Sequence, residues 1–258
     1  MKGYISSLVA VIIRLTHVLE CVHLLNLSNS DIKRIPDCIL PSSLWRLNAA
    51  DCGSLKSVSF SFYENYCVQS EKEAIRVSSF FNHPTREVLF RNCTKLDEEA
   101  RRLLIQGWDF MKVVLPGKEI PGEFTHIAKG HSITISSGIL SASSSFKACI
   151  LLSPALPIKT VNRIHIIHCR LRSKGLLINE LRFSEHYRPP CPQFLTEQLF
   201  VFSGRLFKEY LDDATTSEIQ FEVSCRDIDK IVECGVQIFS SNSSRKCKEH
   251  NDGVILGL

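Results

Sequence analysis

The chain has 258 residues, of which 44% are apolar and 22% are charged, and its formal net charge is +4. This apolar content allows a sizeable core and excludes extensive disorder. Lys and Arg are scattered, so the mild positive charge does not indicate a nucleic-acid-binding surface. The 11 cysteines are odd in number and include no Cys-x-x-Cys pair. This usage favours buried thiols in a reducing compartment over a zinc ribbon or a disulfide framework.

The first 21 residues form a poorly defined N-terminal segment. An apolar stretch at 4–13 follows Lys2, but its length is only about half of what a membrane-spanning helix requires. Arg14 and His17 follow this stretch, and the sequence shows no clear small-x-small cleavage site. A signal peptide is therefore disfavoured, and we expect the protein in the cytoplasm, with the nucleus as a second compartment.

Residues 22–58 carry two units of a repeated apolar pattern. Leu25 and Leu27 of the first unit correspond to Leu47 and Ala49 of the second, at a spacing of 22 residues. This spacing is typical of leucine-rich repeats, in which an L-x-x-L-x-L strand turns its apolar side chains inward. Two such units are too few to bury a continuous core. The pattern therefore indicates a terminal cap or the remnant of a longer array.

Residues 59–109 are interpreted as a linker that contains a helix near 94–106. Thr94 and Asp97 fit a capping box, in which a hydroxyl accepts a hydrogen bond from a free N–H of the first helical turn. Asp97 and Arg101 have the i,i+4 spacing of an ion pair, which would support the same helix.

From residue 110 onward the apolar pattern changes to a period of two, which is typical of strands. Seven short segments are separated by Ser, Gly and Pro, at 111–115, 133–135, 146–152, 163–172, 199–202, 219–223 and 235–239. They predict an antiparallel β-sandwich of the jelly-roll or immunoglobulin-like kind over 110–241, followed by a C-terminal tail at 242–258. The predicted fold class is mainly β: this sandwich, preceded by the leucine-rich-repeat remnant and one or two helices.

The sequence offers little support for an enzyme. His165, His168 and Cys169 are the most ligand-like cluster, but on a strand His168 points away from the other two. Cys149 lies in an apolar strand, where burial keeps a thiol unreactive. The chain contains no Gly-x-Ser-x-Gly elbow and no Gly-x4-Gly-Lys-Ser/Thr phosphate loop. We therefore predict no catalytic residue, no metal and no cofactor.

The segment 183–194 is the strongest candidate for binding. It reads FSEHYRPPCPQF and combines aromatic, charged and proline residues in a predicted loop of the sandwich. Tyr and Arg are enriched at protein-binding hot spots, and proline lowers the entropy that a loop loses on binding. The residues predicted to contact a protein partner are His186, Tyr187, Arg188 and Phe194. A plain connecting loop is the alternative interpretation.

Several segments, in their order and spacing over about residues 22–240, resemble one known family. NLSNSDIKRIPDCI and LPSSLWRLNAADCGSLKSV resemble the last repeats of plant TIR-type nucleotide-binding leucine-rich-repeat disease resistance proteins. FRNCTKLDEEARRLLIQ and VVLPGKEIPGEFTHIAKGHSITI resemble the segment that joins those repeats to the domain behind them. SFKACILLS, EQLFVFSGRLFKE and IQFEVSCRDIDKIVECGVQIFS resemble strands of that post-repeat jelly-roll/Ig-like (C-JID) domain.

The resemblance implies a β-sandwich that works with the repeats to bind pathogen effector proteins in plant innate immunity. We expect this chain to lack a TIR domain, for which it has no room, and a nucleotide-binding domain. The expected function is a protein-recognition module that binds an effector or modulates a full-length receptor, with neither nucleic acid nor a membrane as a partner. Two alternatives stay open: a decayed receptor fragment that acts only as a scaffold, and a carbohydrate-binding jelly roll.

Overall fold

The structure of the chain is a computed structural model. It describes residues 22–36, 44, 46–59, 86–106, 111–154, 164–186, 195–208, 215–225 and 231–239. The segments predicted as the N-terminal region, 1–21, and the C-terminal tail, 242–258, lie outside these residues. Fourteen strands and one helix fall within the described part of the chain.

The elements are numbered in chain order. The first seven strands are β1 (Leu24–Asn26), β2 (Arg34–Ile35), β3 (Arg46–Asn48), β4 (Ser57–Val58), β5 (Arg86–Leu89), β6 (Met111–Pro116) and β7 (His126–Lys129). The other seven are β8 (Ser132–Ser141), β9 (Ser145–Leu152), β10 (Ile164–Ser173), β11 (Leu176–His186), β12 (Gln198–Arg205), β13 (Thr215–Cys225) and β14 (Ile231–Phe239). The helix, α1, is Glu98–Gln106 and follows β5.

One mixed sheet of eight strands runs through the repeats and the sandwich, in the order β1-β3-β5-β6-β12-β9-β14-β7. The first four strands are parallel, and their register places Leu25, Leu47, Val88 and Val113 side by side. From β6 onward the neighbours are antiparallel. Strand β6 therefore belongs to both halves, and the repeat ladder continues directly into the sandwich.

The ladder contains more parallel strands than the two units visible in the sequence. Strand β5 lies inside 59–109, the segment that the sequence pattern treats as a linker, and it pairs with β3 in parallel. Val88 and Cys93 repeat the positions of Leu47 and Cys52 at a distance of 41 residues. Because the repeat period is about 20–29 residues, a search at a fixed spacing overlooks this third unit.

A second sheet of four antiparallel strands, in the order β11-β10-β13-β8, packs on one face of the large sheet. Aromatic rings fill the space between the sheets: Phe146 lies 6.1 Å from Phe202 and 4.9 Å from Phe221, measured between ring centroids. Phe183 of β11 lies 4.7 Å from Phe202 of β12, so β11 crosses over β12. The mainly β fold class predicted from the sequence, with its β-sandwich, is confirmed.

The other face of the large sheet is covered by α1 and the segment after β6. Ala100 and Leu104 of the helix, with Phe124 of that segment, share one buried cluster with Cys149 and Leu199 of the central strands. Strands β9 and β12 are thus buried on both faces. This explains why each appears in the sequence as a continuous apolar run rather than an alternating one.

Helix α1 begins at a different cap from the one expected. The carboxylate of Asp97 accepts the N–H of Ala100 at 2.8 Å, so Asp97 is the N-cap, and not a capping-box partner of Thr94. Arg101, the expected partner of Asp97, lies 3.9 Å from Glu98 instead, at i,i+3 spacing. A shorter pair joins Glu99 to Arg102, at 2.6 Å and also at i,i+3 spacing.

The end of α1 is held by the sandwich. The ammonium group of Lys147, a buried residue of β9, donates to the backbone carbonyl of Gln106 at 3.4 Å. A cation at this position stabilises the negative end of the helix dipole. The helix is therefore fixed to the sandwich at its last residue. At its start, the N–H of Asp97 donates to the carbonyl of Lys56 in the repeats at 2.8 Å.

Candidate recognition surface at the repeat–sandwich junction

Each repeat turns at an Asn or Asp residue with a left-handed backbone. Asn29, Asp51 and Asn92 have φ angles of 59°, 62° and 59°. They occupy equivalent positions, three residues after the strands β1, β3 and β5. Asn and Asp tolerate this conformation better than other residues with a side chain. The three turns therefore bring polar side chains together along one edge of the sheet.

Two buried thiols link successive repeats behind these turns. The thiol of Cys52 donates to the carbonyl of Leu27 at 3.0 Å, and the thiol of Cys93 donates to the carbonyl of Ala49 at 3.0 Å. Burial raises the pKa of Cys93 to about 12, so the thiol keeps its proton at physiological pH. These cysteines are donors that stabilise the ladder and not reactive groups.

Asn92 forms the connection between the repeats and the sandwich. Its side-chain amide donates to the carboxylate of Asp51 at 2.7 Å, and its side-chain oxygen accepts the backbone N–H of Leu195 at 3.0 Å. Its own backbone N–H donates to the side-chain oxygen of Gln198, a fully buried residue of β12, at 3.4 Å. Arg91 adds an ion pair to Asp51 at 3.6 Å. We call Asp51, Arg91, Asn92, Leu195 and Gln198 the junction cluster.

A row of charged side chains crosses the face of the repeat strands that points away from α1. Arg46, Glu87 and Lys112 are register partners on β3, β5 and β6. Glu87 lies 3.4 Å from Arg46 and 3.2 Å from Lys112, and Lys112 lies 5.8 Å from the ring centroid of Phe200. Side-chain exposure falls along this row from 25% to 17% to 0%. This face therefore passes from solvent at the repeats into the interior of the sandwich.

The predicted binding loop is only partly within the described residues. Tyr187, Arg188 and Phe194 lie outside them, and only the backbone of His186 is described. His186 is the last residue of β11 and is paired with Ile164, so 183–186 is strand and not loop. Alternation of Leu181 and Phe183 with Glu180, Arg182 and Ser184 is the sequence signal for this strand.

The downstream side of that segment is tied to the junction cluster. Leu195, the next described residue, is bound to Asn92 through its backbone and leaves 70% of its surface exposed. The prediction from the sequence did not include Asn92 or Gln198. The recurrence of Asn29, Asp51 and Asn92 after each repeat strand is a signal that could have identified the first of these.

A second charged group lies on the outer face of the four-stranded sheet. The carboxylate of Glu180 accepts hydrogen bonds from Arg182 at 2.8 Å and from Arg170 at 3.1 Å, and His168 Nδ1 lies 3.8 Å away. The bonds from Arg182 and Arg170 lower the pKa of Glu180. Because two guanidinium groups share one carboxylate, this patch carries an excess of positive charge.

Two of the candidate metal ligands, His168 and Cys169, lie on opposite faces of β10. Cys169 is buried between the sheets, whereas His168 lies on the outer face, and the side chain of His165 is outside the described residues. Burial raises the pKa of Cys149 well above its ordinary value. In the described ranges no group of three or more His, Cys, Asp or Glu residues is placed to hold a metal ion. No helix in that part of the chain is long and apolar enough to cross a membrane.

Comparison with curated proteins shows that the chain is homologous to plant disease resistance proteins, which confirms the resemblance seen in its motifs. It is 30% identical over 241 residues to disease resistance protein RML1A of Arabidopsis thaliana, an alignment that covers 90% of this chain and 24% of the relative. Disease resistance protein RML1B, from the same plant, is 31% identical over 281 residues, with 91% of this chain and 23% of the relative covered.

A shorter similarity involves disease resistance protein TAO1 of Arabidopsis thaliana, 38% identical over 116 residues, which are 44% of this chain and 8% of the relative. The chain therefore spans about a quarter of the length of the first two relatives. No protein-family model matches it. The homology supports a role related to plant immune receptors.

Proposed function

We propose that the chain is a non-catalytic protein-recognition module of a plant intracellular immune receptor, which binds a pathogen effector or modulates a full-length receptor. The observation that carries this proposal is homology to disease resistance proteins over 90% of the chain. The partner is a protein, with neither nucleic acid nor a membrane involved. The module acts in the cytoplasm, with the nucleus as a second compartment.

The continuous sheet supports this proposal physically. Residues on loops bind well when a rigid scaffold holds them, because less conformational entropy is lost on association. The large sheet is covered on one face by the four-stranded sheet and on the other by α1. The repeat turns and the start of β12 are joined through Asn92. Repeats and sandwich can therefore present one surface to a partner.

The recognition site that we propose combines the residues His186, Tyr187, Arg188 and Phe194 with the exposed side chain of Leu195. Strand β11 holds the backbone of His186, and the junction cluster holds the backbone of Leu195. Tyr187 and Arg188 are of residue types enriched at protein-binding hot spots, and Leu195 adds exposed apolar surface. A carbohydrate-binding jelly roll is less well supported, because the described phenylalanines Phe146, Phe200, Phe202 and Phe221 are buried between the sheets.

The test is a pairwise binding screen of the full chain against cloned effectors from pathogens of the host plant. For any effector bound, Tyr187→Ala with Arg188→Ala should weaken the affinity at least tenfold, as expected when hot-spot residues are truncated. Arg102→Ala is the matched control, since Arg102 is exposed on α1, and it should leave the affinity unchanged. Failure to bind any effector or a co-expressed full-length receptor would overturn the proposal and favour the scaffold alternative.

A further inference from the structure

In the described part of the chain, the two larger sheets have four edge strands. These are β1 and β7 in the eight-stranded sheet, and β8 and β11 in the four-stranded sheet. A free edge exposes unpaired N–H and C=O groups that can accept another strand. Proteins block such edges with short strands, bulges or charged side chains. The edge strands β1 and β7 are short, with three and four residues.

Strand β8 is blocked by a bulge. Its partner β13 advances two residues between Thr216 and Glu218, while β8 advances four between Leu140 and Ser136. The extra residues include Ile139, which is 83% exposed. A bulge of this kind interrupts the regular row of hydrogen-bonding groups that an added strand requires.

Strand β11 is neither short nor interrupted by a bulge over most of its length, and two of its charged residues, Glu180 and Arg182, pair with each other. It has 11 residues and contains no proline. Its single irregularity lies near its start, and from Asn179 to His186 it pairs with β10 residue for residue. Its other side has no neighbouring strand in the described part of the chain. Of the four edges, β11 is therefore the long and regular one.

The chain satisfies the outward-facing groups of β11 only near its start. The backbone N–H of Lys208 donates to the carbonyl of Ile178 at 3.2 Å, and the N–H of Glu180 donates to the side-chain oxygen of Asn179 at 2.8 Å. Backbone groups of an antiparallel strand alternate between its two sides with a period of two residues. The next groups that face outward therefore belong to Arg182 and Ser184.

We propose that the edge of β11 at 181–186 accepts an extended segment of a partner protein by strand addition. Side chains on the added strand lie opposite those of β11. Arg182 is 65% exposed at its side chain and shares Glu180 with Arg170, so the residue opposite it is acidic. The neighbouring positions lie over Leu181 and Phe183, which pack against the apolar core, and are apolar. This inference rests on the proposed function, since it assumes a protein partner.

The experiment selects displayed random peptides on the full chain and compares three proteins: wild type, Arg182→Pro and Arg182→Ala. Proline removes the outward N–H and is tolerated at sheet edges, whereas alanine removes only the charge. Selected peptides should alternate apolar residues around an acidic one and bind Arg182→Pro about tenfold more weakly than Arg182→Ala. Equal affinity for the two variants, or no selected peptide, overturns the proposal.

Amide hydrogen exchange on the wild-type chain tests the same edge without any substitution. A bound peptide should slow exchange at the N–H groups of Arg182 and Ser184, which should exchange rapidly in the free chain. Slow exchange in the free chain overturns the proposal, because the edge is then covered by the protein itself. If an effector binds Arg182→Pro and Arg182→Ala with equal affinity, strand addition is wrong but the proposed function stands. If peptides are selected but no effector or receptor binds, the proposed function is wrong but strand addition at β11 stands.

Discussion

The parallel and antiparallel ends of the eight-stranded sheet are held together by different interactions. Parallel strands β1, β3 and β5 have only three or four residues each. Their ladder depends on left-handed Asn and Asp turns, on thiol-to-carbonyl hydrogen bonds and on the junction cluster. Antiparallel strands β9, β12 and β14 have eight or nine residues, and β9 and β12 are buried on both faces. The comparison indicates that the repeats are stable because their sheet continues into the sandwich.

The largest expected effect is the loss of stability when an aromatic ring is removed from the sandwich core. Phe202 is fully buried, with ring centroids of Phe183 and Phe200 at 4.7 Å and 5.7 Å. We expect Phe202→Ala to reduce the free energy of unfolding by about 3–5 kcal/mol. Ile139→Ala, at an exposed position, should change it by less than about 0.5 kcal/mol. Urea unfolding followed by circular dichroism provides the measurement.

Amide exchange in the same Phe202→Ala protein shows whether the two ends unfold together. The N–H of Leu27 is bonded to Asn48, and the N–H of Ala49 is bonded to Leu89, so both report on the repeat ladder. We expect these amides to lose protection together with those of β9 and β12. Retained protection in the repeats, with protection lost in the sandwich, would show that the repeats fold independently.

Substitution at the repeat turns should have a smaller effect and separates backbone strain from the junction contacts. Asn92→Ala loses the bonds to Asp51 and Leu195 and places alanine at a positive φ, which we expect to cost about 2–3 kcal/mol. Asn29→Ala is the matched control, because Asn29 has the same φ of 59° but is exposed in the first repeat. It should cost only about 1 kcal/mol. Equal losses in urea unfolding would mean that the junction bonds contribute nothing.

The smallest effect concerns the pH dependence of stability at the outer face of the sandwich. Arg182 and Arg170 lower the pKa of Glu180 in the folded chain. Their stabilisation is therefore present above the unfolded-state pKa, about 4.3, and is lost as the pH falls through the folded-state value. Glu180→Gln should reduce the loss of stability in urea titrations between neutral pH and pH ~3. Glu218→Gln, at an exposed position of β13, is the control and should leave that loss nearly unchanged.

The sandwich was largely predictable from the sequence, whereas the junction was not. Apolar runs and alternation identified strands such as β9, β10 and β12, because side-chain burial directly imposes that pattern. Strand β11 was not predicted, although Leu181 and Phe183 alternate with polar residues, because the aromatic, charged and proline residues that follow are typical of a loop. Strand β5 fell within the predicted linker because the third repeat unit follows the second at 41 rather than 22 residues.

By itself the sequence determined the mainly β class, the register of the first two repeats and the family resemblance, since local periodicity and motif order carry that information. Only the tertiary structure decided that repeats and sandwich share one sheet through β6. That join depends on contacts between distant residues, such as Asn92 with Leu195 and Glu87 with Lys112. The burial of Lys112 is likewise explained by tertiary contacts, including Glu87 on β5, because burial of a charge requires a paired group that no local pattern specifies.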